Sequence, residues 1–265
     1  MQITVLTIFP ELFDAFWRHG MIRRAIEQHR VTAEAVNIRD YADGRHRVTD
    51  DRPYGGGSGM VMKPEPLARA IRAAKKTDPK AVAVLLTPQG KVFSQDTAAR
   101  LSSLQQLILV CGRYEGVDER ICQDDIDLEI SVGDFVLTGG EVAAMMVIDA
   151  AVRLIPGVLG GAESAEKDSF SQNLLEHDQY TRPADFEGKT VPDVLLSGDH
   201  RAIERWRREM SLVRTLLKRP DLLMNRPLDP EAVELLGKWG RTIERIVDAQ
   251  AIRRADPPSG AEPEG

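Results

Sequence analysis

Between Ile3 and Ile155, short apolar runs of strand length alternate with segments of helical period, and no other feature limits the fold as tightly. The strand-like runs are ITVLTIF, VTAEAVNI, AVAVLLT, LILVCG and LEISV. Between them lie ELFDAFW, MIRRAIEQ, PLARAIRAA, SQDTAARLSSL and VDERICQ, and the long apolar helix Val142 to Ile155 closes the series. Strands that take turns with helices pair in parallel and need helices on both faces, so an α/β domain with a parallel sheet is expected. Ligands of such sheets bind beyond the carboxyl ends of the strands. Three strands run there into glycine-bearing turns: TPQG (Thr87 to Gly90), CGRYEG (Cys111 to Gly116) and SVGDFVLTGG (Ser131 to Gly140). Glycine lets main-chain groups approach a ligand closely, so the three turns are expected to wall one pocket. None has the GxxxxGK[ST] or GxGxxG spacing of a phosphate or dinucleotide loop, and a diphosphate is not the expected guest.

The remainder reads differently. Proline and glycine in IPGVLGGAESAEKDS mark a break after Ile155, where an exposed linker is expected. Beyond it Asp229 can cap a helix that starts at Pro230, and Ile203, Trp206, Met210, Val213 and Leu217 recur at helical spacing. A small, mostly helical C-terminal domain follows from this pattern. The tail ADPPSGAEPEG holds no large apolar residue and reads as disordered. The expected organisation is a ligand-binding domain over 1–158, a mobile linker over 159–172, a helical domain over 173–252 and a tail over 253–265.

With 42% hydrophobic residues among 265, the chain can bury a full core. No apolar run reaches the roughly 18 residues of a membrane span, and the N-terminus shows no signal-peptide pattern, so a cytoplasmic protein is expected. Two cysteines without a CxxC pair and five histidines without HExxH support neither a disulfide framework nor a zinc site. The net charge of -6 hides a local excess: Arg201 to Arg219 holds seven bases against two acids. A second basic group, Arg39, Arg45, His46, Arg47 and Arg52, shares its loop with Asp40, Asp43, Asp50 and Asp51. Taken alone, either cluster is ordinarily a solvated face.

Read in order, TIFPELF, DRPYGGGSGMVMKPEPL, TPQGK, SVGDFVLTGGE, RLIPGVLG, EKDSF, QYTRP, VPDVLLSGDH and WRR are the motifs of one family. The chain resembles the bacterial tRNA (guanine-N1)-methyltransferases of the SPOUT class. It departs from the usual pattern at Phe135, where Tyr is common, at Thr87, where Ser is common, and in SGDH, where SGNH is usual.

The resemblance implies a deep trefoil knot in the α/β domain, S-adenosylmethionine as cofactor, and a homodimer with active sites between protomers. The alternation of elements by itself would give an unknotted, doubly wound sheet. The implied substrate is guanine 37 of tRNA, 3′ to the anticodon, with a preference for a preceding guanine. For the cofactor, the resemblance points to Leu86, Thr87, Pro88, Gly112, Tyr114, Glu115, Gly116, Val132, Gly133, Asp134, Phe135, Val136, Leu137, Gly139 and Gly140.

Guanine N1 is a poor nucleophile until it loses its proton, and Asp168 is the implied general base. An ordinary aspartate is a weak base for that proton, so burial, a neighbouring acid or a late transfer has to help, and a linker that orders on binding is expected. Arg153 is implied to stabilise the charge that develops on guanine O6, although a cation at a helix C-terminus also serves the macrodipole. The family is linked to magnesium, which Glu115 and Asp168 could help hold, though no carboxylate cluster here demands a metal. For the tRNA anticodon stem-loop the candidates are Tyr54, Gly59, Phe170, Tyr180 and Arg182, with Arg201, Arg205, Arg208 and Arg214 for phosphates. Two rival readings are a ribosomal RNA methyltransferase of the same class and a nonenzymatic RNA-binding factor on the same fold. QYTRP and SGDH favour tRNA over the first, and the Asp168 and Arg153 pair argues against the second.

Overall fold

The computed structural model describes residues 1–160, 168–171, 174–224 and 227–255. Glu163 and Glu166 of the expected linker, and the tail beyond Ala255, lie outside them. The chain forms two compact units, Met1–Glu166 and Lys167–Gly265.

The first unit follows the alternation of strands and helices. Strand β1 (Gln2–Thr7) leads through a 3-10 turn at Pro10–Phe13 into helices α1 (Asp14–Arg18) and α2 (Gly20–Glu27), and β2 (Thr32–Asn37) follows. The short antiparallel pair β3 (Asp50–Asp51) and β4 (Val61–Met62) brackets the PYGGGSG loop. Then come α3 (Pro64–Lys75), β5 (Val82–Val92), α4 (Gln95–Ser102), β6 (Gln106–Cys111), α5 (Glu119–Asp124), β7 (Leu128–Ser131) and α6 (Glu141–Val152). The five long strands form one parallel sheet in the order β2-β1-β6-β5-β7. This is the α/β class expected from the pattern. Helix α6 spans a shorter stretch than the expected 142–155: it starts at Glu141 and ends at Val152, with Arg153 as its C-cap. Pro156 and Gly157 lie just beyond that cap and the chain turns there.

Both sheet faces are dry because the central strands alternate between two cores. On β6, Leu107, Leu109 and Cys111 face one cluster with Ala144, Val147 and Ile148 of α6. Ile108 and Val110 face the other, with Leu67 and Ile71 of α3. All of these side chains are fully buried, which is why β6 reads as a continuous apolar run rather than an alternating one. Helix starts are fixed locally: the Ser94 hydroxyl accepts the Thr97 amide at 3.3 Å, and the Asp118 carboxylate accepts the Arg120 amide at 3.0 Å.

One turn departs from its expected place. TPQG does not end β5 but loops out of it: Leu86 and Lys91 both pair with Ile130 of β7, and the residues between them leave the ladder. Gly90 clamps the base of this loop. A Cβ on it would lie 2.4 Å from the Ile130 amide nitrogen, and backbone cannot give way cheaply.

In the second unit, the hairpin β8 (Asp185–Phe186) and β9 (Lys189–Thr190) precedes α7 (Asp193–Leu196), α8 (His200–Lys218), α9 (Pro220–Met224) and α10 (Pro230–Ala255). Asp199 caps α8 through the Arg201 and Ala202 amides at 3.0 and 3.1 Å. Asp229 caps α10 through the Ala232 amide at 3.0 Å, as its position before Pro230 predicts, and this bond together with Arg208 holds its carboxyl below the usual range. Of the recurring apolar positions on α8, Ile203, Trp206, Met210 and Val213 are half-buried and Leu217 is exposed, while the fully buried residues are Leu212 and Thr215. The reason is polar: Thr215 accepts the Leu175 amide at 2.8 Å and Ser211 donates to the Leu175 carbonyl, which draws that segment onto this side of the helix.

Replacing Gly90 by alanine is expected to destabilise the first unit by about 2 kcal/mol, the cost of an overpacked contact with backbone. Urea unfolding followed by circular dichroism measures it, and an unchanged midpoint would contradict the clamp.

Candidate functional site

Three loops meet at the carboxyl ends of β5, β6 and β7 and enclose a cavity of about 320 Å³, within the range of small-molecule sites. The looped-out segment of β5 contributes Leu86, Thr87, Pro88 and Gln89. The β6–α5 turn contributes Gly112, Arg113, Tyr114, Glu115 and Gly116, with Glu119 and Cys122 from α5. The β7–α6 loop contributes Val132, Gly133, Phe135, Val136, Leu137, Thr138, Gly139 and Gly140. Of the residues proposed from sequence for the cofactor, Asp134 alone is not among those lining the cavity.

Where Gly139 and Gly140 form the wall it is backbone because a side chain has no room there. The Gly140 amide donates to the Gly112 carbonyl at 2.9 Å, and a Cβ on Gly140 would lie 2.8 Å from the Cys111 Cα. On the opposite turn Tyr114 sits at φ +61°, a left-handed conformation that costs a non-glycine residue about 1–3 kcal/mol. It is held by the Glu115 amide on the Met60 carbonyl at 3.0 Å and the Gly116 amide on the Arg113 carbonyl at 3.1 Å. The first of these bonds stitches the PYGGGSGM loop to the pocket turn. Gly59, at φ +89°, packs so closely on Glu115 that a Cβ there would meet its carboxylate oxygen at 2.3 Å.

The lining is acidic. Glu115, Glu119 and Glu129 face one cation, Arg113, and that cation is already engaged. Its guanidinium meets the buried Glu141 carboxylate at 2.9 Å and lies 4.6 Å from the centre of the Phe9 ring. Thr7 donates to Glu141 at 2.7 Å. The cavity therefore favours a cationic or zwitterionic guest and disfavours a polyphosphate. Neither nearby cysteine is poised as a nucleophile: burial, then Glu141, push the Cys111 thiol up, and burial with Glu119 and Glu129 lifts Cys122 to about 11. Among the described residues no group of three or more His, Cys, Asp or Glu is placed to hold a metal ion.

The sequence reading missed Arg113, Glu141 and Thr7, which set the turns without being glycines. The signal was present: a glutamate opening an otherwise apolar helix, and an arginine inside a glycine turn, are charges in dry surroundings that need each other.

The other candidates stand as follows. Arg153 is half-buried as the C-cap of α6. Tyr54, in the loop bracketed by β3 and β4, is fully exposed. In the second unit Asp168 lies in a short described stretch, and Tyr180 and Arg182 line a separate cavity with His177 and Arg207. The ring of Tyr180 lies 6.3 Å from that of Trp206. Four arginines of α8 divide into two kinds. Arg208 pairs with Asp229 and Glu231, and Arg214 with Asp178, so both are tied inside the unit. Arg201 and Arg205 are exposed and make no ion pair among the described residues.

A family model and curated relatives point to one family. Residues 1–225 match the family described as tRNA (Guanine-1)-methyltransferase TrmD. A curated relative named tRNA (guanine-N(1)-)-methyltransferase from Desulfatibacillum aliphaticivorans is 56% identical over 256 residues, 97% of this chain and 98% of the relative. Proteins with that name from Syntrophotalea carbinolica and Desulforudis audaxviator are 53% and 51% identical, over 91% and 93% of this chain and 97% and 99% of their own lengths. With the match extending across both units and the glycine turns walling one acidic cavity, the chain belongs to the tRNA (guanine-1)-methyltransferase family.

Proposed function

We propose that this protein is the tRNA (guanine(37)-N(1))-methyltransferase of its organism, transferring a methyl group from S-adenosylmethionine to N1 of the guanine 3′ to the anticodon. Family membership supports methyl transfer to tRNA guanine, and the observation that carries the cofactor is the cavity itself. Its bare-backbone walls at Gly112, Gly139 and Gly140 suit the flat edges of adenine and ribose. Its carboxylates Glu115, Glu119 and Glu129 suit a sulfonium and an amine. When bound, S-adenosylmethionine supplies an electrophilic methyl group.

The chain's own residues supply the rest. Leu86, Pro88 and Leu137 exclude water from an apolar part of the cavity, and Tyr114 with Glu115 forms its opposite rim. Asp168 would take the proton of guanine N1, which frees the N1 lone pair to accept a methyl group. Arg153 donates to guanine O6 as negative charge gathers there. The fully exposed Tyr54 and the Tyr180 and Arg182 surface receive unstacked bases of the anticodon loop, and Gly59 seats the PYGGGSGM loop against Glu115 at the cavity edge. Arg201 and Arg205 meet phosphate oxygens. Magnesium beside Glu115 and Asp168 rests on family membership alone, and no step passes through it.

The parallel five-stranded sheet supports the SPOUT arrangement, and the trefoil knot and the division into 1–158, 159–172, 173–252 and 253–265 are inferred from the family. A homodimer is supported by α6, which exposes Val142 and Met146 one turn apart on an outward face that carries a single charge, Asp149. Apolar side chains left outward on a largely apolar helix call for cover, and a second copy supplies it. The substrate puts the enzyme in the cytoplasm, and among the described residues no helix is long and apolar enough to cross a membrane.

Incubation of unmodified tRNA with the protein and labelled S-adenosylmethionine, followed by nucleoside mass spectrometry, is expected to yield 1-methylguanosine at position 37; no such product would overturn the assignment. Asp168→Asn is expected to lower turnover by about 10²–10⁴-fold, the usual worth of a general base, while S-adenosylhomocysteine binding measured by calorimetry stays intact. Alanine at Arg201 and Arg205 is expected to flatten the plot of log affinity for tRNA against log salt by about one unit per arginine. Equal slopes would remove these two from the phosphate contacts.

A further inference from the structure

The buried polar cluster under the cavity floor is not required by methyl-transfer chemistry, and its geometry carries an inference that rests on the cofactor reading above. Glu141 is the first residue of α6 and is 1% exposed. Its carboxylate is satisfied on every side. Thr7, fully buried at the end of β1, donates to Oε1 at 2.7 Å. Arg113 Nε donates to Oε2 at 3.0 Å, and its terminal nitrogen meets the same oxygen at 2.9 Å. The partial positive charge of the α6 amides adds to this field.

A buried ion pair contributes little net stability, because desolvation cancels most of the attraction. What it does well is fix position, since a misplaced charge in a dry site is costly. Here it fixes three loops at once. Thr7 brings the end of β1, where its oxygen also accepts the Phe9 amide at 3.0 Å. Arg113 brings the β6–α5 turn, and its other terminal nitrogen reaches the Thr138 carbonyl at 3.4 Å. Glu141 brings the start of α6. Gly139 is wedged among them: a Cβ there would lie 2.2 Å from Arg113 Nε and 2.5 Å from Glu141 Oε2. The pair thus presses directly on the backbone of the cavity wall.

We infer that Glu141 is a positioning residue which, tied to Thr7 and Arg113, sets the Gly139–Gly140 wall at the distance the methyl donor requires. It does not touch the reacting atoms, and neither it nor Thr7 lines the cavity. The consequence is a selective loss: disturbing the cluster weakens the hold on the cofactor and spares the hold on tRNA.

The test uses the full-length protein with Glu141→Gln, Thr7→Val and Thr7→Ser. Calorimetric titration with S-adenosylhomocysteine is expected to show binding weakened about tenfold or more in Glu141→Gln and Thr7→Val, a loss typical of a displaced site wall, and within about twofold of wild type in Thr7→Ser. In steady state the KM for S-adenosylmethionine rises in the first two variants while the KM for tRNA stays put. Thr7→Val keeps the test open if Glu141→Gln does not fold. Binding within about twofold of wild type in folded Thr7→Val, or loss in Thr7→Ser equal to that in Thr7→Val, would overturn the inference. So would an apparent kcat that falls in proportion to the folded fraction while both KM values stay at their wild-type levels. Failure of the wild-type protein to form 1-methylguanosine would instead remove the functional reading beneath it.

Discussion

The hydrogen bond from the Gly140 amide to the Gly112 carbonyl, 2.9 Å long, ties the exit of β6 to the entrance of α6 with no side chain between them. Much else depends on that contact. It needs glycine at 140, because the Cα of Cys111 occupies the space of any Cβ. It brings two of the three glycine turns edge to edge, so that along this seam a ligand in the cavity meets amide and carbonyl groups. It also seats α6 against the sheet, where Ala144, Val147, Ile148 and Ala151 complete one of the two cores. Fold and pocket therefore share a single contact, and neither can be adjusted without the other.

How much of this was legible in the sequence depends on the kind of interaction. The five parallel strands and their helices were readable because burial on both faces writes itself as unbroken apolar runs such as LILVC. The helix at Pro230 was readable because its cap is local, Asp229 bonding the amide three residues on. The convergence of the three turns was readable from the general rule for parallel sheets. The looping of TPQG out of the middle of β5 was not, because it depends on where Lys91 resumes pairing with Ile130, a choice made by the partner strand. The Thr7, Arg113 and Glu141 cluster was hidden for a related reason: its members are separated by up to 134 positions in the chain, and no spacing rule links them. The deepest positions of α8, Leu212 and Thr215, lie off the apolar period because two hydroxyls, Ser211 and Thr215, bind the Leu175 backbone.

Charge shows the same division between what is local and what is not. The basic run of α8 reads as a uniform stripe, yet Arg208 and Arg214 are neutralised by Asp229 and Asp178 while Arg201 and Arg205 face outward. A count of bases along a helix overstates the field it projects, since acids from later segments return to cancel part of it. The effective positive surface of this helix sits near its N-terminal half.

The loop that leaves β5 at Leu86 and rejoins it at Lys91 opposite the same residue of β7 insulates the sheet from whatever happens between. Because pairing resumes where it stopped, residues from Lys91 onward keep their phase whatever the length of the excursion. Thr87, Pro88 and Gln89 can therefore change in size or number and reshape one side of the cavity without turning a single core side chain outward. Gly90 marks the limit of that freedom, being the hinge post from which the loop hangs.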